Sequence, residues 1–136
     1  MANLVIDASL AATWCFPDEQ TAYTNGVLHS IPSVKAFAPK LWAYEIRNSV
    51  LMGLRRGRIS PADAEGFLAS LRDLNIQLTD PVSYDSVFKL AVANGLSVYD
   101  ASYLDLAIRE GAPIASLDED LRKAAVKAGI RLFDAR

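Results

Sequence analysis

The chain has 136 residues, 51% of them hydrophobic and 22% charged, which suits one domain with its own core and argues against general disorder. Fourteen Lys and Arg against sixteen Asp and Glu give a formal charge of −2, so this is no globally basic nucleic-acid binder, though a local patch stays open. The one cysteine, Cys15, and the one histidine, His29, exclude a disulfide framework, a cysteine zinc site, a two-histidine acid–base pair and a multi-histidine metal cage.

Leu4-Val5-Ile6 reads as a short buried strand that stops at Asp7. Ser9 is placed to cap a helix carrying Leu10, Trp14 and Phe16, and Pro17-Asp18-Glu19 opens a further helical stretch up to a turn at Ser30–Ser33. Ala36-Phe37-Ala38 is a second strand, ended by Pro39. Lys40 to Arg56 is a long helix with Gly57 as terminator. Ser60-Pro61-Ala62-Asp63 is a helix start, with Ser as N-cap, Pro at N1 and an acid at N3; that helix runs to about Asp73. Ile76-Gln77-Leu78 returns as a strand.

Ser83 to Ala93 is helical with Val87, Leu90 and Ala91 inward, and Gly95 ends it. Asp100 begins a helix whose apolar side carries Tyr103, Leu104, Ala107 and Ile108, closed by Gly111. Pro113 to Leu117 is a strand ending at Asp118, Leu121 to Ala128 a helix stopped by Gly129, and Ile130 to Phe133 the last strand. Strands alternating with helices require crossovers. The expected fold is therefore a single three-layer α/β domain over residues 1–136, a central parallel sheet flanked by helices.

P-loop, G-x-G-x-x-G and G-x-S-x-G patterns are absent, so carboxylates are the chemistry that remains in quantity. No apolar run approaches 18 residues and the start lacks a signal-peptide pattern, so the expected location is cytoplasmic, without membrane insertion.

Most acids sit at turns or helix ends, where the helix dipole or solvent accounts for them. Four do not. Asp7 and Asp118 each follow a strand that reads as buried, and in open parallel sheets sites form beyond the carboxyl ends of strands. Each would also serve as a helix cap. Glu45 shares a helix stripe with Asn48 and Ser49 on an otherwise apolar rod, which suits either a solvated strip or the holding of water or a phosphate oxygen. Asp100 stands at a helix start, a capping position as well as a site position. Asp105 points about 140° away from it on the helix, and Asp120 is near enough to Asp118 to contribute at an edge.

Two like charges 4 Å apart repel by about 4 kcal/mol at an effective dielectric near 20. Four carboxylates in one pocket therefore demand protonation or a cation. Asp and Glu oxygens suit Mg²⁺ or Mn²⁺, an ion that orients water and stabilises charge on a phosphoryl oxygen.

Val5-Ile6-Asp7-Ala8-Ser9, Trp14 with Phe16-Pro17-Asp18-Glu19, and Pro39-x-Leu41 with Glu45 and Asn48 form an ordered series. It continues through Tyr99-Asp100-Ala101-Ser102-Tyr103-Leu104-x-Leu106-Ala107 to Ser116-Leu117-Asp118-x-x-Leu121. In this series the chain resembles the PIN-domain family, in particular the toxin ribonucleases of VapBC toxin–antitoxin pairs. The resemblance implies a metal-dependent endoribonuclease acting on RNA. By position it makes Asp7 and Asp100 the principal ligands of Mg²⁺ or Mn²⁺, with Glu45 and Asp118 completing the catalytic set. Ser9 and Ser116 fall where the family often has a hydroxyl, Ser116 standing where threonine is frequent. The resemblance also implies a homodimer and a cognate antitoxin that covers the crevice.

Arg55-Arg56-x-Arg58 fits either an RNA-binding patch or charge that complements a helix C-terminus. Trp14, Cys15 and Phe16 are expected to pack in the core or a partner groove, and His29 to be a polar surface residue. A phospho-receiver signalling module is one alternative, but it wants adjacent acids after the first strand and a lysine ending the last; here Asp7 stands alone and Asp134 follows Phe133. A catalytically inactive PIN scaffold is another, and the intact four acids argue against it.

Overall fold

Leu4, Val5 and Ile6 are all fully shielded from solvent, although successive strand residues point to opposite faces of a sheet. Strand β1 (Ala2–Ile6) is therefore covered on both sides in the computed structural model, which describes residues 1–135. It lies inside a four-stranded sheet with β2 (Val34–Pro39), β3 (Gln77–Thr79) and β4 (Ile114–Ala115), in the order β3-β2-β1-β4. Every pairing is parallel, with Ala2 opposite Val34 and Val5 opposite both Phe37 and Ile114. The central parallel sheet flanked by helices is the expected architecture.

The α-helices among the described residues are α1 (Ala8–Ala11), α2 (Ala22–Ser30), α3 (Leu41–Arg55), α4 (Pro61–Asp73), α5 (Tyr84–Asn94), α6 (Val98–Glu110) and α7 (Glu119–Lys127). Ser60 caps α4 by accepting from the Asp63 N–H, and Ser83 caps α5 in the same way, so side-chain chemistry fixes both starts. Gly95 and Gly111 close α5 and α6 in the left-handed conformation.

Several elements differ from the sequence expectation, each for a local reason. Ser9 is not an N-cap: α1 begins at Ala8, and the Ser9 hydroxyl is drawn to Asp7 instead. After α1 the chain tightens into 3₁₀ turns at Ala12–Cys15 and Pro17–Glu19, and α2 starts only where Thr21 and Thr24 form a reciprocal capping box. Helix α6 begins at Val98, because Ser97 accepts the Asp100 N–H and takes the capping role; Ile108 is exposed rather than inward. Strand β4 has two residues instead of five, since Ser116 turns toward Asp7 and Asp118 caps α7. The expected last strand is reduced to one parallel bridge between Leu132 and Ile114.

Asp105 is buried and pairs with Arg109 at 3.1 Å on its own helix, a structural ion pair away from Asp100. Trp14 and Phe16 are buried, and Trp14 Nε1 donates to the Thr24 carbonyl at 2.8 Å; His29 is exposed.

The strand order sets the site. Successive connections move the chain from β1 to β2 to β3, and the next crossover carries it back past β1 to β4. The direction reverses between β1 and β4, and a crevice opens beyond their carboxyl ends. Helix α6 packs on β1 and β2, and α1 against α3.

The close approach of the 3₁₀ turns to α3 depends on Gly53, where a Cβ would lie 2.6 Å from two atoms of the Phe16 ring. Phe16 is buried and cannot retreat freely. Gly53→Ala is therefore expected to destabilise the fold by about 1–2 kcal/mol in chemical denaturation, overpacking outweighing the gain in helix propensity.

Candidate active site

Asp7 is the first residue beyond β1, held in register by its own N–H bonding to the Ala115 carbonyl at 2.9 Å. Its carboxylate is almost fully buried, and Oδ2 accepts hydrogen bonds from Ser9 Oγ and Ser116 Oγ, each at 2.6 Å. Asp7 occupies the N-cap position of α1 yet makes no side-chain cap. The capping alternative therefore does not explain it.

Asp118 does cap: its Oδ1 accepts the Leu121 N–H at 2.8 Å. Its own N–H donates to Ser116 Oγ at 3.0 Å, so Ser116 joins Asp118 to Asp7. Glu45 comes from α3, half-buried, with Oε1 accepting from the Tyr103 hydroxyl at 2.7 Å. That hydroxyl also accepts the Ala8 N–H at 3.3 Å. Asp100 stands in the first turn of α6, half-buried, with Ser97 as the cap.

Asp7, Glu45 and Asp100 are each raised above the ordinary carboxylate range, first by burial and then by neighbouring acids. Burial pushes the Asp7 carboxyl above its usual range; the Ser116 and Ser9 hydrogen bonds pull it back, and Asp118 pushes it up again. Glu45 is raised by burial, relieved by Tyr103, and raised further by Asp7 and Asp100. Asp100 is raised by burial and by repulsion from Asp118 and Asp7, with Ser97 relieving it and exposed Asp120 adding a little. Tyr103 is held firmly in its neutral form by burial, then by Asp7 and Glu45. It is a donor to Glu45, never a base.

These side chains do not form a finished cage. Among the described residues no three His, Cys, Asp or Glu side chains are drawn together as a metal site. The donors are nevertheless all hard oxygens whose mutual repulsion a cation relieves, and one or two carboxylates with retained waters is the ordinary coordination of a small divalent ion. By their chemistry these residues suit such an ion, with Asp7 and Asp100 as its candidate ligands.

Tyr103 escapes a sequence reading that assigns it by periodicity to the apolar side of its helix. The available signal was its hydroxyl, since a buried tyrosine usually finds a polar partner.

The family model described as PIN domain matches residues 4–127. The chain is 30% identical over 123 residues to Ribonuclease VapC3 of Pyrobaculum aerophilum, covering 88% of this chain and 92% of that one. Exonuclease VapC9 of the same organism is 35% identical over 81 residues, 60% of each chain. Among solved structures, PAE2754 from Pyrobaculum aerophilum matches with a TM-score of 0.72 and 25% identity over 90% of this chain and 84% of that one. FitAcB from Neisseria gonorrhoeae matches with a TM-score of 0.63 and 16% identity over 97% of both, a likeness of fold.

Tyr103→Phe strands the Ala8 N–H and removes the donor to Glu45; denaturant unfolding should show a loss of about 1–2 kcal/mol. Asp100→Asn should act in the opposite direction. Because Asp100 is raised in the folded state, its contribution to stability is complete below the ordinary value of 3.8 and is lost as pH rises through the folded value. With chelator present, Asp100→Asn should melt a few degrees above the parent at pH 7.5, allowing for solvent screening, and the gap should close as pH falls toward 4.

Proposed function

Since the chain belongs to the PIN-domain family, we propose that it is a metal-dependent endoribonuclease and the toxin of a type II toxin–antitoxin pair. The observation that best supports this reading is the buried Asp7 carboxylate at the end of β1, where the strand order reverses, held on Oδ2 by Ser9 and Ser116 and linked through Ser116 to Asp118.

Asp7 and Asp100 hold Mg²⁺ or Mn²⁺ in this reading. When bound, such an ion supplies activation of water and neutralises charge developing on the phosphoryl oxygens. The chain's own side chains do the positioning. Ser9 and Ser116 fix Asp7 Oδ2, so the carboxylate cannot swing when substrate arrives. Tyr103 fixes Glu45 Oε1 and keeps that residue an acceptor, suited to aligning a water for in-line attack. Asp118 spends Oδ1 on the α7 cap and retains Oδ2 for the site.

The substrate is RNA. The protein partners are a cognate antitoxin that covers the crevice and a second copy of the chain. No helix among the described residues is long and apolar enough to cross a membrane, in keeping with a cytoplasmic site of action.

Purified, antitoxin-free protein should cut RNA with Mg²⁺ or Mn²⁺ and stop with EDTA. Circular RNA should be cut as well, which separates internal cleavage from exonuclease action. Asp7→Asn should lose roughly 100-fold or more of the rate while keeping its fold by circular dichroism, because charge stabilisation worth several kcal/mol is removed. Full activity in Asp7→Asn, or no metal-dependent cleavage of any RNA by the parent, would remove the basis for this assignment.

A further inference from the structure

The structure separates the three arginines of the Arg55-Arg56-x-Arg58 run. Arg58 is committed: its Nη2 lies 3.0 Å from Asp18 Oδ1 and 2.7 Å from Glu19 Oε2, and its guanidinium stacks 4.3 Å from the centre of the Phe16 ring. Arg55 is the last residue of α3 and exposed. Arg56, at the helix C-cap, lines a groove of about 280 Å³ together with Ser9, Asn48, Ser49 and Met52. No carboxylate pairs with Arg56 among the described residues.

This groove adjoins the acidic residues at Ser9, which lines it while its hydroxyl donates to Asp7. Along α3, Glu45, Ser49, Met52 and Arg56 fall at i, i+4, i+7 and i+11, within about 40° of one line on the helix surface. The helix rise sets Arg56 about 16 Å from Glu45 along the axis. Between them stand Asn48 and Ser49, whose side chains hydrogen-bond to no other described residue. Arg58 braces the far wall by holding Asp18 and Glu19, which keeps the acid Glu19 of this groove neutralised.

We propose that this groove is the subsite for the single-stranded RNA backbone beside the scissile bond, with the Arg56 guanidinium on a phosphate and the Asn48 amide and Ser49 hydroxyl on phosphate or ribose oxygens. The proposal rests on the ribonuclease reading and names where its substrate lies. A guanidinium matches phosphate geometry, and neutral donors add contact without holding the polyanion too close to the carboxylates. An acidic protein segment is the other class of occupant. The groove fits it less well, because one free cation faces it and a continuous polyanion must in any case cross the adjoining crevice.

The test measures fluorescence anisotropy of a labelled single-stranded RNA in EDTA over a range of salt, with KM and kcat measured separately in Mg²⁺. Arg56→Ala should weaken binding about fivefold or more at low salt and reduce the salt slope by about 0.7, the loss of one phosphate contact on a single strand. KM should rise with kcat little changed, and Arg56→Lys should keep most of the slope. Arg47→Ala is the control of equal charge: Arg47 is exposed on α3 and bonds the Ala43 carbonyl of its own helix. It should bind close to the parent. Equal effects of Arg56→Ala and Arg47→Ala on affinity and slope overturn the subsite. Unchanged RNA binding with weaker binding of a poly-glutamate peptide assigns the groove to an acidic protein instead and overturns it too. A parent that binds RNA but never cleaves it overturns the nuclease reading alone, since the anisotropy comparison does not depend on turnover.

Discussion

A carboxylate buried at the end of the central strand is tolerated because two hydroxyls clasp the same oxygen. Ser9 reaches Asp7 from two residues away and Ser116 from 109 residues away, both at 2.6 Å. Burial alone disfavours the charged form, and the two hydrogen bonds oppose it. The same contacts tie the first helix to the chain leaving β4, so one interaction seats the acid and closes the crevice around it. The shortness of β4 follows from this geometry: the backbone leaves the sheet at Ser116 in order to make the bond.

The remaining carboxylates are fixed by similar economies. Tyr103 serves two groups with one hydroxyl, the Ala8 N–H and Glu45, and so links the start of α1 to the second turn of α3 through α6. Asp118 caps a helix with one oxygen. The cluster is therefore rigid yet electrostatically uncomfortable, a ground state that a bound cation improves. Sites of this kind commonly reduce stability in exchange for preorganisation.

Much of this was legible in the chain itself. The Ser60-Pro61-Ala62-Asp63 run announced the start of α4, and an acid directly after the apolar run Leu4-Val5-Ile6 marked Asp7. What escaped depends on contacts that local pattern does not encode. Periodicity saw the Tyr103 ring and missed its hydroxyl. Asp100 looked like a cap until Ser97 took that place. The Asp118 side chain caps α7, as one of its two readings required. The arginine run could be divided only once Asp18 and Glu19 were seen to occupy Arg58. The Ile130–Phe133 stretch had strand composition but found only Ile114 to pair with.

That final stretch still has a task. The Ile114 N–H donates to the Arg131 carbonyl at 3.0 Å and the Phe133 N–H to the Ile114 carbonyl at 2.9 Å, while the Tyr23 hydroxyl pins the Phe133 carbonyl at 3.0 Å. These bonds occupy the outer rim of β4, which would otherwise offer unpaired amides to any passing chain. A few residues too irregular to count as a strand thus shield the sheet from templating aggregates of its own kind.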